Sequence, residues 1–238
     1  MAFNFREGEV LLIDKPLGWT SFDVVNSLRY FICKVTNIKK LKVGHAGTLD
    51  PMATGLLIIC TGKMTKQIDR FQGMSKVYVG QMCLGATTPS YDKETEPDRQ
   101  FDITPLNIDM LKEKSHLLLG EIDQVPPLYS AIKVNGERAY KLARKKEDVK
   151  LKSRKVTIYQ FDIVNYNPPH AEFYVKCSKG TYIRSLIRDF GESLNNGAYL
   201  SALKRTQIGE YSLSDARSPE SFKEEVLRET GLSANAEN

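Results

Sequence analysis

Strand-like and helix-like runs alternate irregularly along this chain of 238 residues. Apolar or β-rich runs of strand length occupy residues 56–60 and 76–84, and alternating runs occupy residues 156–163 and 172–177. Apolar residues recur at helical spacing over residues 183–190. Because several neighbouring strands look antiparallel and no internal repeat is present, the pattern predicts an α+β fold with a mixed sheet.

Local signals predict where several elements begin and end. Thr104-Pro105 and Ser218-Pro219 are typical of helix starts. The polar residues 87–100 predict an exposed loop, and residues 203–213 predict a closing strand. A capping-box pattern at residues 20–23 predicts another helix start. The predicted buried face of that helix carries Phe22, Val25, Leu28 and Phe31.

The composition is that of an ordinary folded protein, with 41% hydrophobic and 26% charged residues, which argues against gross disorder. The four cysteines form no C-x-x-C pair and only three histidines are present, so no zinc site is expected. Cys60, Cys83 and Cys177 lie in strand-like runs and are predicted to be buried thiols. Neither a signal-peptide pattern nor an apolar run of roughly 20 residues is present, so we expect a cytoplasmic protein.

Positive charge is concentrated in residues 138–155, where nine basic residues stand against two acidic ones. The net charge of this segment is +7, which exceeds the +5 of the whole chain. Such a run is either a solvated helix face or a phosphate-binding surface. Because this segment holds nearly all of the chain's excess positive charge, the phosphate-binding interpretation is favoured.

The most informative segment is residues 44–55, which contain three glycines and one proline and are predicted to form a loop. Asp50 precedes Pro51 in this loop, where its side chain either faces a cleft or caps the turn. The lysine followed by serine or threonine that a P-loop requires is absent, which argues against nucleotide binding. Local chemistry leaves both roles of Asp50 open.

The sequence G-H-A-G-T-L-D-P-M-A-T-G-L-L, which begins at Gly44, resembles the catalytic signature of the TruB family of tRNA pseudouridine-55 synthases. The similarity covers roughly residues 9–213 in the family's order, including L-I-D-K-P from Leu12 and K-G-T-Y-I-R from Lys179. The resemblance implies the pseudouridine synthase fold, with a mixed, largely antiparallel central sheet flanked by helices and loops.

By this resemblance, Asp50 is the essential aspartate, which acts on the target nucleotide while the C1′–N1 bond breaks and the uracil rotates to bond through C5. Whether the carboxylate attacks the sugar or the base, or triggers a proton shift at the sugar, stays open. Arg184 is implied to pair with Asp50 and to keep it ionised, and Tyr182 to lie against the base. Without the motif, Tyr182 and Arg184 would be ordinary residues at a helix start, away from the apolar stripe.

Four further residues match family positions that contact or support the substrate site, namely His45, Tyr78, Leu203 and Lys15. The resemblance implies that His45 fills space vacated by flipped bases and that Tyr78 stacks on the flipped uracil. Each also has an ordinary interpretation: His45 as a neutral loop residue, Tyr78 as sheet packing, Leu203 as core, and Lys15 as support beneath the loop.

The resemblance also implies a tRNA substrate held by its T stem-loop, with a basic RNA-clamping insertion at about residues 124–155. We expect a catalytic domain over residues 1–213 and a short helix and tail over residues 214–238, too few for the PUA domain of longer members. Since the uracil is retained and no water is needed, neither a metal nor an organic cofactor is expected. No membrane or protein partner is implied, and a monomer is expected.

The predicted function is therefore isomerisation of uridine 55 in the T loop to pseudouridine. A non-catalytic RNA-binding or tRNA-folding protein on the same scaffold would use the basic segment and Tyr78 without chemistry at Asp50. A glycosidase or nucleosidase that releases the base would require a second carboxylate and a water site.

Overall fold

The computed structural model describes residues 3–130, 132–134, 136–139, 142, 145 and 151–230. The strands are β1 (Val10–Lys15), β2 (Val43–His45), β3 (Ala53–Thr61), β4 (Lys76–Leu84), β5 (Ala86–Thr87), β6 (Arg99–Gln100), β7 (Gly120–Gln124), β8 (Lys133–Val134), β9 (Glu137–Arg138), β10 (Arg154–Asn167), β11 (His170–Cys177), β12 (Ala198–Ile208) and β13 (Tyr211–Ser212). The helices are α1 (Ser21–Thr36), α2 (Ile68–Gly73), α3 (Ile108–His116), α4 (Ile183–Ser193) and α5 (Pro219–Thr230). Much of the predicted basic segment, including Lys141, Arg144, Lys146 and Lys150, lies outside the described residues.

The chain divides into two compact units, one formed by residues 1–76 and 204–238 and the other by residues 77–203. In the first unit the strand order is β1-β3-β12, with β2 also paired to β3 and β13 to β12. The β1–β3 and β2–β3 pairings are antiparallel, with Ile13 opposite Leu57 and Val43 opposite Thr61. β3 therefore lies at the centre of this part of the sheet.

β3 is buried on both faces, which explains its continuous apolar sequence. Leu57 and Ile59 belong to a core cluster formed with β1, α1 and α5. Leu56, Ile58 and Cys60 alternate with them and belong to a second cluster that includes Phe71 and Ile208. The strand that leads away from Asp50 is thus anchored from both sides.

The predicted capping box opens α1: the Thr20 hydroxyl accepts a hydrogen bond from the Asp23 amide at 3.0 Å, and the Asp23 carboxylate accepts one from the Thr20 amide at 2.8 Å. The predicted buried face is wrong at Phe22, whose exposure is 59%. The buried stripe is rotated toward the core cluster that α1 shares with β1, β3 and α5. It consists of Ser21, Val24, Val25, Leu28 and Ile32.

In the second unit the strand order is β12-β4-β11-β10-β7. β10 pairs antiparallel with β11 and with β7. The ring of Phe161 in β10 makes edge contacts with Phe173 and Phe190, at centroid distances of 6.1 and 5.3 Å, so α4 packs on the sheet through aromatic contacts. The helical stripe predicted for residues 183–190 is confirmed, since Ile183, Leu186, Ile187 and Phe190 are buried.

Three predicted boundaries are wrong. Residues 44–55 are not a loop throughout, because β2 and β3 occupy their two ends, and the closing strand β12 begins at Ala198. α3 begins at Ile108, where the Asn107 side chain caps it. Thr104 instead lies in a turn, because the Asp102 carboxylate accepts hydrogen bonds from its amide at 2.9 Å and its hydroxyl at 2.7 Å.

Residues 87–100 were predicted to be an exposed loop, yet they include parts of the β5–β6 pair and the buried residues Thr88, Ser90 and Asp92. The hydroxyl of Thr88 donates to the Asp92 carbonyl at 2.7 Å, and that of Ser90 lies 2.8 Å from the Thr95 hydroxyl. Polar residues can be buried here because they satisfy one another locally.

Cys60, Cys83 and Cys177 are buried, as predicted, and form no disulfide bond with a described residue. α5 begins directly after Ser218, and its residues Phe222 and Val226 join the core of the first unit. Among the described residues, no helix is long and apolar enough to cross a membrane.

Gly55 offers a direct test of the packing of β3 against β12. Its φ is +102°, and a Cβ atom here would lie 2.3 Å from the carbonyl oxygen of Arg205. We expect Gly55→Ala to lower the free energy of unfolding by about 2 kcal/mol or more, measured by urea denaturation. Gly73→Ala is the matched control, since no atom lies within 4 Å of its added Cβ; equal losses in the two variants would contradict this account.

Candidate active site

Asp50 lies in the loop between β2 and β3, and its side chain is half-buried. The main-chain carbonyl of Asp50 accepts a hydrogen bond from the Ala53 amide at 3.0 Å, which closes a tight turn through Pro51. The Pro51 carbonyl accepts another from the Gly18 amide at 2.9 Å. Main-chain atoms therefore close this turn.

The residue before Asp50 is held by Ser21, the first residue of α1. The buried Ser21 hydroxyl donates to the Leu49 carbonyl at 3.1 Å and accepts from the Leu49 amide at 2.8 Å. One hydroxyl therefore satisfies both main-chain groups of Leu49. The sequence pointed to Ser21 only through the capping-box pattern, and its role beneath the loop was missed.

The fully buried side chain of Arg205 ties the start of the loop to β3. Its Nε atom donates to the Leu56 carbonyl at 2.8 Å, and Nη2 donates to the Gly47 carbonyl at 3.1 Å. A buried guanidinium is costly unless its N–H groups find acceptors. Sequence reasoning missed Arg205, although its two-residue spacing from Leu203 in a strand could have placed both on one face.

Lys15 lies at the end of β1 with an exposure of 0%. Its ammonium group donates to the carbonyls of Pro16 at 2.9 Å and Trp19 at 2.6 Å. Burial lowers the pKa of Lys15 to about 8; the nearby Asp50 carboxylate opposes this change and the Arg205 guanidinium adds to it. Lys15 is thus electrostatically coupled to Asp50 while it fixes the turn after β1.

His45 is the last residue of β2 and stands opposite Ile59 of β3. Its pKa is lowered from the ordinary value, first by burial and then by the Arg205 guanidinium. Both effects favour the neutral form of the imidazole. This arrangement fits the ordinary interpretation of His45 and is equally compatible with a contact to RNA.

In the second unit, Tyr182 is the N-cap residue of α4 and its main chain is bracketed by the buried Gln124. The Tyr182 amide donates to Oε1 of Gln124 at 2.8 Å, and Nε2 of Gln124 donates to the Tyr182 carbonyl at 3.1 Å. The Arg154 guanidinium lies 4.5 Å from the centroid of the Tyr182 ring and donates to the Gly180 carbonyl. Gln124 thus fixes the main chain of Tyr182, and Arg154 lies over its ring.

Arg184 is 3% exposed, although it lies outside the apolar stripe of α4. Its guanidinium donates to the carbonyls of Ser90 at 3.2 Å and Tyr129 at 2.9 Å, and its Nε atom lies 3.5 Å from the Asp92 carboxylate. The segment predicted to be an exposed loop therefore provides the groups that orient Arg184. Such a buried cation is tolerable because a buried carboxylate and carbonyls compensate its charge.

Tyr78 lies in β4 with an exposure of 8%, after the buried Val77 and before the exposed Val79. Strand alternation places the Tyr78 ring on the face opposite these valines. Leu203 lies in the neighbouring strand β12 and is only half-buried, so it is not a fully buried core leucine.

The predicted site residues therefore form two sets, one in each unit. In the first unit Asp50, Lys15 and His45 lie around the loop that Arg205 and Ser21 support. In the second unit Tyr182 and Arg184 stand at the start of α4, while Tyr78 and Leu203 lie on adjacent strands.

A family model described as the N-terminal domain of TruB family pseudouridylate synthases matches residues 34–183. The chain belongs to the TruB family. The tRNA pseudouridine synthase B of Phocaeicola vulgatus is 53% identical over 221 residues, which cover 93% of this chain and 94% of that protein. The enzyme of the same name from Flavobacterium johnsoniae is 52% identical over 94% of this chain and 98% of its own length. The resemblance inferred from the sequence is thus confirmed.

Solved structures confirm the fold expected of a TruB family member. A chain of a crystallised Cbf5-Nop10-Gar1 complex matches 96% of this chain, with a TM-score of 0.70 and 28% identity. A chain of an H/ACA RNP bound to a substrate RNA containing 2′-deoxyuridine matches 97% of this chain, with a TM-score of 0.67 and 25% identity. This chain spans 58% and 57% of those two solved chains.

The anchoring of Leu49 leads to a prediction for Ser21→Ala. The change leaves the Leu49 amide and carbonyl without their partner, so we expect the free energy of unfolding to fall by about 2 kcal/mol and the Leu49 amide to exchange hydrogen faster. Denaturation and hydrogen exchange measure the two effects. Ser27→Ala, in the same helix, is the matched control, and unchanged exchange at Leu49 in Ser21→Ala would refute the anchoring role.

The buried ammonium of Lys15 predicts a pH dependence of stability. Its pKa is about 8 in the folded protein against an ordinary 10.5, so the unfolded chain binds more protons between these two pH values. The free energy of unfolding of the wild type, measured relative to Lys15→Met, should therefore rise as the pH increases from 8 to 10.5. A difference that stays constant over this interval in parallel urea titrations would contradict the lowered pKa.

Proposed function

We propose that this chain is a tRNA pseudouridine synthase that isomerises uridine 55 in the T loop to pseudouridine. The observation that carries the proposal is a half-buried carboxylate, Asp50, presented by a loop whose main chain is fixed by Ser21 and Arg205. Relatives about half identical over more than nine-tenths of this chain are named tRNA pseudouridine synthase B, which supports tRNA as the substrate class.

In the proposed reaction the target uridine first leaves its stack, which costs a few kcal/mol. The C1′–N1 bond then breaks, the uracil turns within the site, and C5 bonds to C1′. The proton on C5 leaves while N1 gains one, so the atoms balance and no water is consumed. The Tyr78 ring supplies a stacking surface, worth about 1 to 3 kcal/mol for a base, and Tyr182 lies against the base.

Asp50 is the proposed residue that acts on the target nucleotide. Arg184 retains the role that the family motif implies, a guanidinium that favours the ionised form of the Asp50 carboxylate. Its contacts to Ser90, Tyr129 and Asp92 hold the guanidinium in a fixed orientation. His45, Leu203 and Lys15 are proposed to contact the RNA or to support the loop.

The proposed substrate is bound through its T stem-loop by a monomer in the cytoplasm. The basic residues 138–155 are proposed to contact phosphates. Within the described part of this segment, Lys145 and Lys155 form exposed ion pairs with Glu137 and Glu121 at 3.0 and 2.5 Å. Exposed pairs of this kind contribute little stability, so RNA phosphates can displace them.

The test uses an unmodified tRNA transcript that carries tritium at C5 of uridine. The wild type should release tritium, and Asp50→Asn should reduce the rate by roughly 10⁴-fold or more, because the carboxylate that acts on the nucleotide is lost. Asp69→Asn, an exposed acid of α2 in the same unit, is the matched control and should retain the wild-type rate. A transcript with cytidine at position 55 should release only background tritium.

The same assay separates the competing functions. A non-catalytic RNA-binding protein would release no tritium at any enzyme concentration, and equal release by wild type and Asp50→Asn would remove Asp50 from the mechanism. A glycosidase would yield free uracil among the products, whereas the proposed isomerase keeps the base attached to the RNA.

A further inference from the structure

A groove of about 930 Å³ lies between α1 and the connector that joins α1 to β2, entirely within the first unit. The function proposed above assigns it no role. Its wall on the α1 side presents two aromatic rings and a guanidinium, and the connector presents lysines. The residues that define it are Phe22, Arg29, Tyr30, Lys39, Lys40 and Lys42.

The groove is positively charged. Arg29, Lys39, Lys40 and Lys42 are all exposed, and none of them forms an ion pair with a described residue. The one hydrogen bond made by the Arg29 side chain goes to the neutral Asn26 at 2.9 Å, within the part of the chain that the structure describes. A lining with four cations and no carboxylate complements a polyanion.

Two large rings add a second chemical feature. Phe22 is 59% exposed and Tyr30 is 73% exposed, although the helix that carries them, α1, has a buried apolar face. Exposed aromatic rings interleaved with cations form the usual surface for unpaired nucleotides, since bases stack on the rings while phosphates meet the cations.

We propose that this groove, defined by the six residues above, binds an unpaired stretch of the substrate tRNA. The proposal rests on the function proposed above for its choice of RNA. The occupant is a single strand, because separate nucleotides must reach the rings of Phe22 and Tyr30 while the backbone follows the lysines.

Two residues of the groove adjoin, in sequence, elements that hold the Asp50 loop. Phe22 directly follows Ser21, whose hydroxyl holds both main-chain groups of Leu49. Lys42 directly precedes β2, which carries His45 and leads into the same loop. A strand bound in the groove therefore lies next to the elements that present Asp50, and it adds affinity without taking part in bond making.

The experiment measures binding of the tRNA transcript and single-turnover tritium release over a range of enzyme concentrations. For the variant with Lys39→Ala, Lys40→Ala and Lys42→Ala we expect the dissociation constant to rise about tenfold or more, and the slope of log affinity against log salt to fall by roughly 2. The rate at saturating enzyme should stay within about twofold of wild type, because the chemical step is untouched.

Tyr30 provides an independent test of stacking. Tyr30→Ala should weaken binding by about fivefold or more, because a stacked base loses its ring. Tyr30→Phe should restore wild-type affinity, since the phenyl ring stacks as well. Equal affinity in Tyr30→Ala and Tyr30→Phe, with the triple lysine variant also binding as tightly as wild type, would overturn the proposal.

The matched charge control is the double variant Lys63→Ala and Lys66→Ala, two exposed lysines of the same unit that do not line the groove. If this control weakens binding as much per lysine as the groove variant does, the loss of affinity reflects the overall charge of the protein, and the proposal fails.

Binding by the T-arm hairpin alone shows whether the bound strand belongs to that arm or to the rest of the tRNA. If wild type binds tRNA but releases no tritium, the proposed function fails. The affinities of the groove variants, compared with wild type and the control, still test whether the groove binds RNA.

Discussion

The buried guanidinium of Arg205 is the contact on which the presentation of Asp50 depends. Its hydrogen bonds to Gly47 and Leu56 join the start of the loop to β3, and its own main chain lies so close to Gly55 that no side chain fits between them. Removing these bonds would leave a buried cation and two carbonyls without partners. The geometry of the loop is therefore coupled to the packing of β3 against β12.

The same guanidinium shapes the electrostatics around the loop. Arg205 contributes to lowering the pKa of both Lys15 and His45, so their environment disfavours additional positive charge. Arginine carries a fixed positive charge in proteins, so Arg205 adds positive potential around the loop.

Sequence reasoning found the periodic elements and the motif, because apolar spacing and rare residue combinations are local properties. It identified the stripe of Ile183, Leu186, Ile187 and Phe190, the capping box before α1 and the strand after Asp50. It misjudged Ser90 and Asp92, because polar residues that satisfy one another through space look like a solvated loop in one dimension. For the same reason it missed long-range partners such as Ser21 with Leu49 and Gln124 with Tyr182.

The polar anchors of the site share one property: they bind main-chain atoms of the residues they hold. Ser21 holds Leu49, Arg205 holds Gly47 and Leu56, and Gln124 holds Tyr182, in each case through amides or carbonyls that every amino acid other than proline possesses. These hydrogen bonds therefore do not involve the side chains of the residues that they hold. During divergence, such a framework can acquire new chemistry or lose it by exchanging the displayed groups, while the geometry of the display is inherited unchanged.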